Sequence, residues 1–511
     1  MPLDMGQEIE IKLAIEAQRA SRVWQTLSRF PHEKPSAHRL FSAYYDTPDC
    51  LLKRNGVALR LRRDGQRWIQ TVKSADNASG GLHRRVEHET GVAMQLPSFP
   101  AMTQAGYGEL IADRHARDAL GVIFTTKFRR SSTLFERDGG NIVEVSLDRG
   151  IIAAGERRES ICEIELELKA GNAAALFELA LELARELPVR LENRSKAQRG
   201  YELAAGARAA PVKASAPGLA AQMTVEHAFA TIAFDCIAHL QANETGLLAG
   251  RDPEYLHQAR VALRRLRSAI RMFGEVIPEG RLGQNLDELK ALARLLGNAR
   301  NLDVFALETL AQASAGDHAG MSALRRRTQA MRRHAARAAR AAVASPGYTI
   351  MLLQMTQTLT AVQARAQTGP PAGAGMKLED FAARVLSHQH ARVKKRGRHF
   401  MQLAFPDLHR LRIQVKRLRY ASEFFLPLVP DRAADALQSL ANLQALLGRL
   451  NDDAVAWKLL DTMAAGDAAT DYQQAIGYVR GWCARDGEQC LGLLEDAWKK
   501  FLRHKPWWGP S

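Results

Sequence analysis

The 511-residue chain is poor in cysteine: Cys50, Cys162, Cys236, Cys483 and Cys490 are five scattered residues with no CxxC spacing. An odd, dispersed set excludes a disulfide scaffold and a cysteine zinc framework, and it points to a reducing compartment. Apolar runs of about eighteen residues are missing, so no transmembrane helix is expected. The opening MPLDMGQEIEIK lacks a basic stretch followed by an apolar core, so no secretory signal is expected either. The reading is a cytoplasmic protein. Aromatic residues are only 6% of the chain, and no cluster of them stands beside the charged motifs as a stacking platform for bases. The remaining composition, 46% hydrophobic and 25% charged, is that of a globular protein with sizeable cores. At roughly 150 residues per domain, the length suggests two to four domains.

Charge is in excess, and it is unevenly placed. The net value is +16, yet residues 1–206 hold 30 basic against 28 acidic side chains, a net of +2. The later part is therefore the basic body. Such a surface implies a polyanionic partner: nucleic acid, anionic lipid or polyphosphate.

The stretch AAGARAAPVKASAPG at 204–218 has two prolines and no periodicity, and it reads as a linker. It separates an expected first domain at 1–205 from a helical domain at 219–505, with 206–218 as the connection. Before it, short alternating runs predominate; after it, long Ala-, Leu- and Arg-rich stretches with a helical period follow. A second break, QTGPPAGAG at 367–375, divides the helical part. Its two parts repeat each other. HQARVALRRLR from His257 matches HRLRIQVKRLR from His409, and LLGNARNLDV from Leu295 matches LLGRLNDDAV from Leu446. Two matches in one order imply a duplicated helical unit and two packed bundles related by a pseudo-twofold axis.

In the first part, period-two alternation places charges on one strand face and aliphatics on the other. Glu8, Glu10 and Lys12 share a face, as do Arg60 with Arg62. Lys73 ends another strand, and Arg85 aligns with Glu87 and Glu89. Lys127 pairs with Arg129, Glu144 with Asp148, and Glu163 with Glu165 and Glu167. Any one of these strands reads as a solvated face. Seven of them, with acids and bases segregated, read better as a barrel or tunnel whose charges point inward. Basic strands would hold a highly charged anion, and acidic strands would hold hard divalent cations. Phosphate chains with magnesium or manganese suit both.

These elements carry a resemblance. ExExK at Glu8–Lys12, YYDTPDCLLKRNGVALRLR from Tyr44, TVK at Thr71, EVSLDRG from Glu144, EIELELK from Glu163 and SKAQRGY from Ser195 occur in order over about two hundred residues. Together they resemble the CYTH superfamily, which includes the triphosphate tunnel metalloenzymes. The resemblance implies an eight-stranded antiparallel tunnel with flanking helices and metal-dependent hydrolysis of a triphosphate. It also implies catalytic roles for Glu8, Glu10, Lys12, Glu163 and Glu165, and Mg2+ or Mn2+ held by Glu8, Glu10, Asp148, Glu163 and Glu165. Phosphate would be gripped by Arg60, Arg62, Lys73, Arg85, Lys127, Arg129 and Lys196, while Lys12 and Glu144 tune the tunnel floor. Glu87 and Glu89 are open between a direct role and charge balance. Thiamine triphosphatases and class IV adenylate cyclases share this chemistry, but an organic triphosphate needs a site for its base. Trp68 and Tyr44 are the aromatic candidates, and strand aromatics usually belong to a core. The expected substrate is inorganic tripolyphosphate.

In the second part, His257, Arg260, Arg264, Arg267 and Arg271 fall on one helical face, with Leu263, Leu266, Ile270 and Phe273 opposite. His409, Arg412, Lys416 and Arg419 repeat that face. Arg326, Arg333, Arg337 and Arg340 form another, and His388, Arg392, Lys395 and His399 a further one. Solvated basic faces usually carry Glu three or four residues away, yet no acid stands between Tyr255 and Gly274. This crowding favours a polyanion-binding surface. The duplicated histidine motif and the LLG repeats resemble the CHAD domain, the conserved-histidine α-helical domain often fused to CYTH. That resemblance implies binding of long-chain polyphosphate by His257, Arg260, Arg264, Arg267, Arg271, Arg333, Arg337, His388, Arg392, Lys395, His409, Arg412, Lys416 and Arg419. Association with polyphosphate granules would follow. The second LLG motif departs from the first, with Asn451 and Asp452 standing where Arg300 and Asn301 stand. Nucleic acid is the competing partner, although no base-reading motif is present. A non-catalytic polyphosphate-binding or targeting protein is the alternative to an enzyme.

Overall fold

The computed structural model describes residues 6–30, 32–74, 78–206, 210–250, 252–277, 283–313, 319–368, 376–429, 434–465 and 469–508. Residues 207–209 of the expected linker and 369–375 of the second break lie outside these. The chain forms two compact units, one of residues 1–210 with 344–357, the other of residues 211–343 with 358–511.

The first unit is an eight-stranded antiparallel β-barrel. Its strands are β1 (Gly6–Ala14), β2 (Ser36–Asp46), β3 (Val57–Asp64), β4 (Arg67–Ser74), β5 (Leu82–Val92), β6 (Gly121–Arg137), β7 (Asn141–Ala154) and β8 (Arg157–Ala170). They run in the order β5-β4-β3-β2-β6-β7-β8-β1, and β1 closes the ring by pairing with β5; a two-residue β9 (Arg190–Leu191) adds to β1. Closure removes both sheet edges and gives every strand an inside and an outside. On the outside, Ile11, Leu13, Val145 and Leu166 are fully buried beneath the Ala174–Glu186 helix, whose Leu176, Phe177, Leu179 and Leu183 are likewise fully buried. Leu353, from the 344–357 segment, joins this core. The inside is left to the polar positions of each strand.

A short helix, Lys196–Ala205, lies against the barrel. Ser195 caps it by accepting from the Gln198 N–H at 3.1 Å. The Tyr201 hydroxyl donates to Asp46 Oδ2 at 2.9 Å, and Asp46 also accepts the N–H groups of Leu52 and Lys53. Gly200 permits the close approach, because a Cβ there would stand 2.0 Å from the Phe124 ring.

The second unit is all-helical among the described residues. Its long helices include Val225–Ala242, Pro253–Met272, Gly283–Val304, Met321–Val343, Leu378–Gly397, Phe405–Phe425, Ala434–Ala464 and Gln473–Arg503. Phe273 is fully buried, with its ring centroid 5.5 Å from that of Phe229, 4.8 Å from Phe381 and 6.1 Å from Phe425. The Pro253–Met272 helix starts where Asp252 accepts from the Glu254 N–H with proline at its first turn. It buries Leu256, Ala259, Leu263 and Leu266, together with one of its arginines, Arg265.

Candidate active-site tunnel and basic cavity

Strand register brings opposite charges face to face inside the barrel. Glu8 is opposite Arg85 across β1–β5, Lys12 opposite Glu165 across β1–β8, Lys73 opposite Glu87 across β4–β5, and Arg130 opposite Asp148 across β6–β7. Each of these pairs is an ion pair. Arg85 reaches Glu8 and Glu10 at 2.5 Å each. Lys12 holds Glu165 at 2.5 Å and Glu10 at 3.0 Å. Lys73 holds Glu87 at 2.7 Å, and Arg60 holds Glu87 and Glu89 at 3.2 Å each. Arg130 binds Asp148 at 2.7 Å and also Glu165. These groups surround a cavity of about 490 Å³ whose lining includes Glu8, Lys12, Tyr44, Arg60, Arg62, Lys73, Arg85, Arg130, Glu144, Glu165 and Lys196.

Arg62 differs from its neighbours. Among the described residues no carboxylate lies within ion-pair distance of it, and it donates to Ser42 Oγ at 3.4 Å. Burial, then Arg60 and Arg130, push its guanidinium down to about 10. Anionic oxygens in the lumen would supply the charge it lacks. Burial raises the Glu165 carboxyl, but Lys12, Lys196 and Arg130 outweigh that and hold it well below its ordinary value. The Tyr44 hydroxyl is likewise raised by burial yet lowered overall by Arg60 and Arg62.

Three carboxylates form a tighter group. Asp148, Glu163 and Glu165 are buried, and one oxygen from each lies within 4.8 Å of the others. An all-oxygen, anionic donor set of this size fits a hard divalent cation. Lys196 Nζ sits among them, 2.7 Å from Asp148 and 2.9 Å from Glu165 and also against Glu163. Arg199, one turn along the same helix, binds Glu163 at 2.9 Å and Glu159 at 2.8 Å.

Measured against the expected residues, Arg60, Arg62, Lys73, Arg85 and Lys196 line the lumen together, with Glu8, Lys12 and Glu165. Glu10, Asp148 and Glu163 are buried in the same charged lattice. Glu8 and Glu10 lie against Arg85, outside the three-carboxylate group. Glu87 and Glu89 balance Arg60. Lys127 and Arg129 are corrected: both are exposed, and Arg129 is opposite Arg39 and Arg149 on the outer face. The inward face of β6 carries Thr126, Phe128 and Arg130, one residue out of register with the expectation. Arg130 and Arg199 are the residues that sequence reasoning missed. TKFRR offers a cation on either face, and nothing local says which face is inside. The i+3 spacing of Arg199 from Lys196 was the legible signal on the helix.

The helical unit has its own cavity, of about 560 Å³, where both sequence repeats meet. His257, Arg260 and Arg264 enter from the Pro253–Met272 helix, and Arg412, Lys416 and Arg419 from Phe405–Phe425. Arg300 and Asn301 stand on one side, and Asp452 occupies the repeat-equivalent position of Asn301. Asp452 is 3.9 Å from Arg412, and Glu423 neutralises Arg265 at 3.0 Å and Arg419 at 2.6 Å. Arg260, Arg264 and Lys416 have no carboxylate within ion-pair distance among the described residues. Burial, then Arg264, Arg412 and Arg260, push Lys416 down to about 6. Burial and then Arg300 push His257 down to about 4.

The repeats are not equivalent here. His409 is exposed and hydrogen-bonds Asn451 at 2.6 Å, whereas His257 lines the cavity. Arg267 lies in a separate recess with Asp287 and Lys290. Arg271, Arg333, Arg337, His388, Arg392 and Lys395 are exposed and do not line the cavity. Helical periodicity aligned residues within each helix but carried no information on which helix faces converge.

Residues 6–201 match the family model of the CYTH domain, and residues 231–461 match that of the CHAD domain. Over 199 residues, 39% of this chain, the sequence is 35% identical to an inorganic triphosphatase of Haemophilus influenzae. The match covers 55% of that protein, so the chain spans about half the length of this curated relative. The crystal structure of the CHAD domain from the plant Ricinus communis is similar at 31% identity and a TM-score of 0.51, covering 58% of this chain and 98% of that one. The chain therefore belongs to the proteins that join a CYTH domain, here the charged barrel, to a CHAD domain, here the helical unit with the basic cavity.

Proposed function

We propose that the barrel hydrolyses inorganic tripolyphosphate to diphosphate and phosphate with Mg2+ or Mn2+, and that the helical unit binds polyphosphate. The observation that carries the first part is the lumen: Arg62, with no carboxylate in ion-pair distance among the described residues, stands in one cavity with Arg60, Lys73, Arg130 and Lys196. The similarity to an inorganic triphosphatase supports the same reading. Arg60 and Arg62 would grip phosphate oxygens bidentately, while Lys73 and Lys196 act as point charges on the chain. Lys12 fixes Glu165 and Glu10 from the barrel wall, keeping the acidic side rigid. A divalent cation held by Asp148, Glu163 and Glu165 would neutralise charge growing on the transferred phosphoryl group and lower the pKa of the attacking water.

Aromatic placement favours an inorganic substrate over a nucleotide or thiamine derivative. Among the described residues Tyr44 is the aromatic one that lines the cavity, and its ring is spent in stacking on Phe124 at 4.4 Å. Trp68 packs outside the barrel against Phe41. The test is phosphate release from tripolyphosphate, ATP and thiamine triphosphate, with and without Mg2+ or Mn2+. Metal-dependent release from tripolyphosphate, faster than from either organic substrate, is expected. Release from ATP alone would give the tunnel to an organic triphosphate, and no release from any would leave a binding protein.

For the helical unit, the support is the cavity in which Arg260, Arg264, Arg412 and Lys416 gather with one facing acid, Asp452, beside the Glu423 that neutralises Arg265 and Arg419. Polyphosphate matches that density of charge without needing a base-reading surface.

A further inference from the structure

The Lys196–Ala205 helix is clamped to the barrel at several points. Arg199 binds Glu163 and Glu159 and donates to the Ser160 carbonyl, and Tyr201 binds Asp46. Lys196, at its first turn, is fixed at the backbone but carries a four-carbon stem ending in an ammonium. That ammonium touches Asp148, Glu163 and Glu165, the same three carboxylates whose oxygens cluster within 4.8 Å. Three N–H donors meet three anionic acceptors, and the same Nζ stands over the Phe128 ring, 5.0 Å from its centroid. An ammonium and a divalent cation cannot share this place, because like charges about 3 Å apart in a buried site repel strongly.

We propose that Lys196 is a tethered counter-ion for the carboxylate triad, exchanged rather than joined when a divalent cation is loaded. Lys196 holds the three acids together, then swings its ammonium into the lumen as a cation enters, where it faces the triphosphate beside Arg130. Triphosphate capture is thereby made conditional on the cation, because the lysine becomes available to phosphate only after leaving the acids. The inference rests on the reading of the barrel as a metal-dependent triphosphatase, and it adds an order of events to that reading.

Two measurements on the full chain, both without substrate, test it. Lys196→Met should bind Mn2+ at least threefold more tightly than wild type by calorimetry, since the competing charge is gone. In the unmodified protein, saturating Mn2+ should raise acetylation of Lys196, read by mass spectrometry, at least threefold. The second measurement keeps the test intact if Lys196→Met fails to fold. Smaller changes, or changes of opposite sign, in either readout of a folded protein overturn the exchange. If wild type hydrolyses tripolyphosphate while neither readout moves, the exchange is wrong and the triphosphatase reading stands. If both move without any hydrolysis, the triphosphatase reading falls and the exchange stands. Absence of Mn2+ binding to wild type and variant overturns both.

Discussion

Glu163 is the residue on which the acidic side of the tunnel is most directly tested. It is buried against Lys196 and Arg199, and Arg199 keeps a second carboxylate in Glu159. Glu163→Gln should therefore fold, with an unchanged circular dichroism spectrum, while kcat for tripolyphosphate falls by roughly 10²–10³-fold, the scale of losing one charge stabiliser at a transition state. Near-normal kcat at saturating Mn2+ would remove Glu163 from the chemistry. In the helical cavity, burial and neighbouring arginines push Lys416 down to about 6. Lys416 is then mostly neutral above that pH, and a bound polyanion raises its pKa by favouring the charged form. Binding takes up a proton in this window, so polyphosphate affinity should weaken as pH rises from 6 toward 8. Calorimetry in buffers of different ionisation enthalpy measures the uptake, and zero uptake at pH 7.5 would contradict it. Residue types were legible in the sequence, but their facing was not always so. Arg62 and Lys73 follow from alternation, whereas Lys127 and Arg129 were mistaken for Arg130 because β6 carries cations on both of its faces.

Elements were read more securely than single side chains, for a physical reason. A strand with a charged face and an aliphatic face has one sensible burial, and seven such strands, with β2 as the eighth, satisfy it at once by closing into a ring. The Lys196–Ala205 helix was harder, since its motif SKAQRGY says nothing of where it docks. Gly200 decides that docking. Phe124 is held between Tyr44 and Tyr201 and cannot move aside for a side chain at this position. Gly200→Ala should push the helix outward and destabilise the barrel by about 1–3 kcal/mol, the usual range for overpacking. A lowered melting temperature together with weaker tripolyphosphate binding is expected; unchanged values for both would show that the helix tolerates displacement.

On the scale of the whole molecule, the division of charge predicts how each unit answers to salt. Polyphosphate binding to the full chain should fall steeply as salt rises, because counterion release dominates polyanion association. Replacing Arg260, Arg264, Arg412 and Lys416 together with alanine should flatten that dependence and weaken binding at least tenfold, while helicity is kept. Tighter binding of duplex DNA than of polyphosphate at equal salt would reassign the cavity to nucleic acid. The two-part organisation was visible in the change from strand to helix period and in the duplicated motifs. Membership of residues 344–357 in the first unit was not, because the Pro346–Thr368 helix carries no mark of which residues join the Leu353 core.

Divergence between the repeats has a consequence of its own. A polyphosphate chain has identical ends and no direction, and a cavity built from two identical copies would offer it two indistinguishable orientations. Here one copy presents Asn301 and the other Asp452. The cavity thus has a carboxylate at one of these two equivalent positions and an amide at the other, so a chain without a front or a back would be held in unequal surroundings. Whatever travels with that chain, its counter-ions first, would be sorted to one flank.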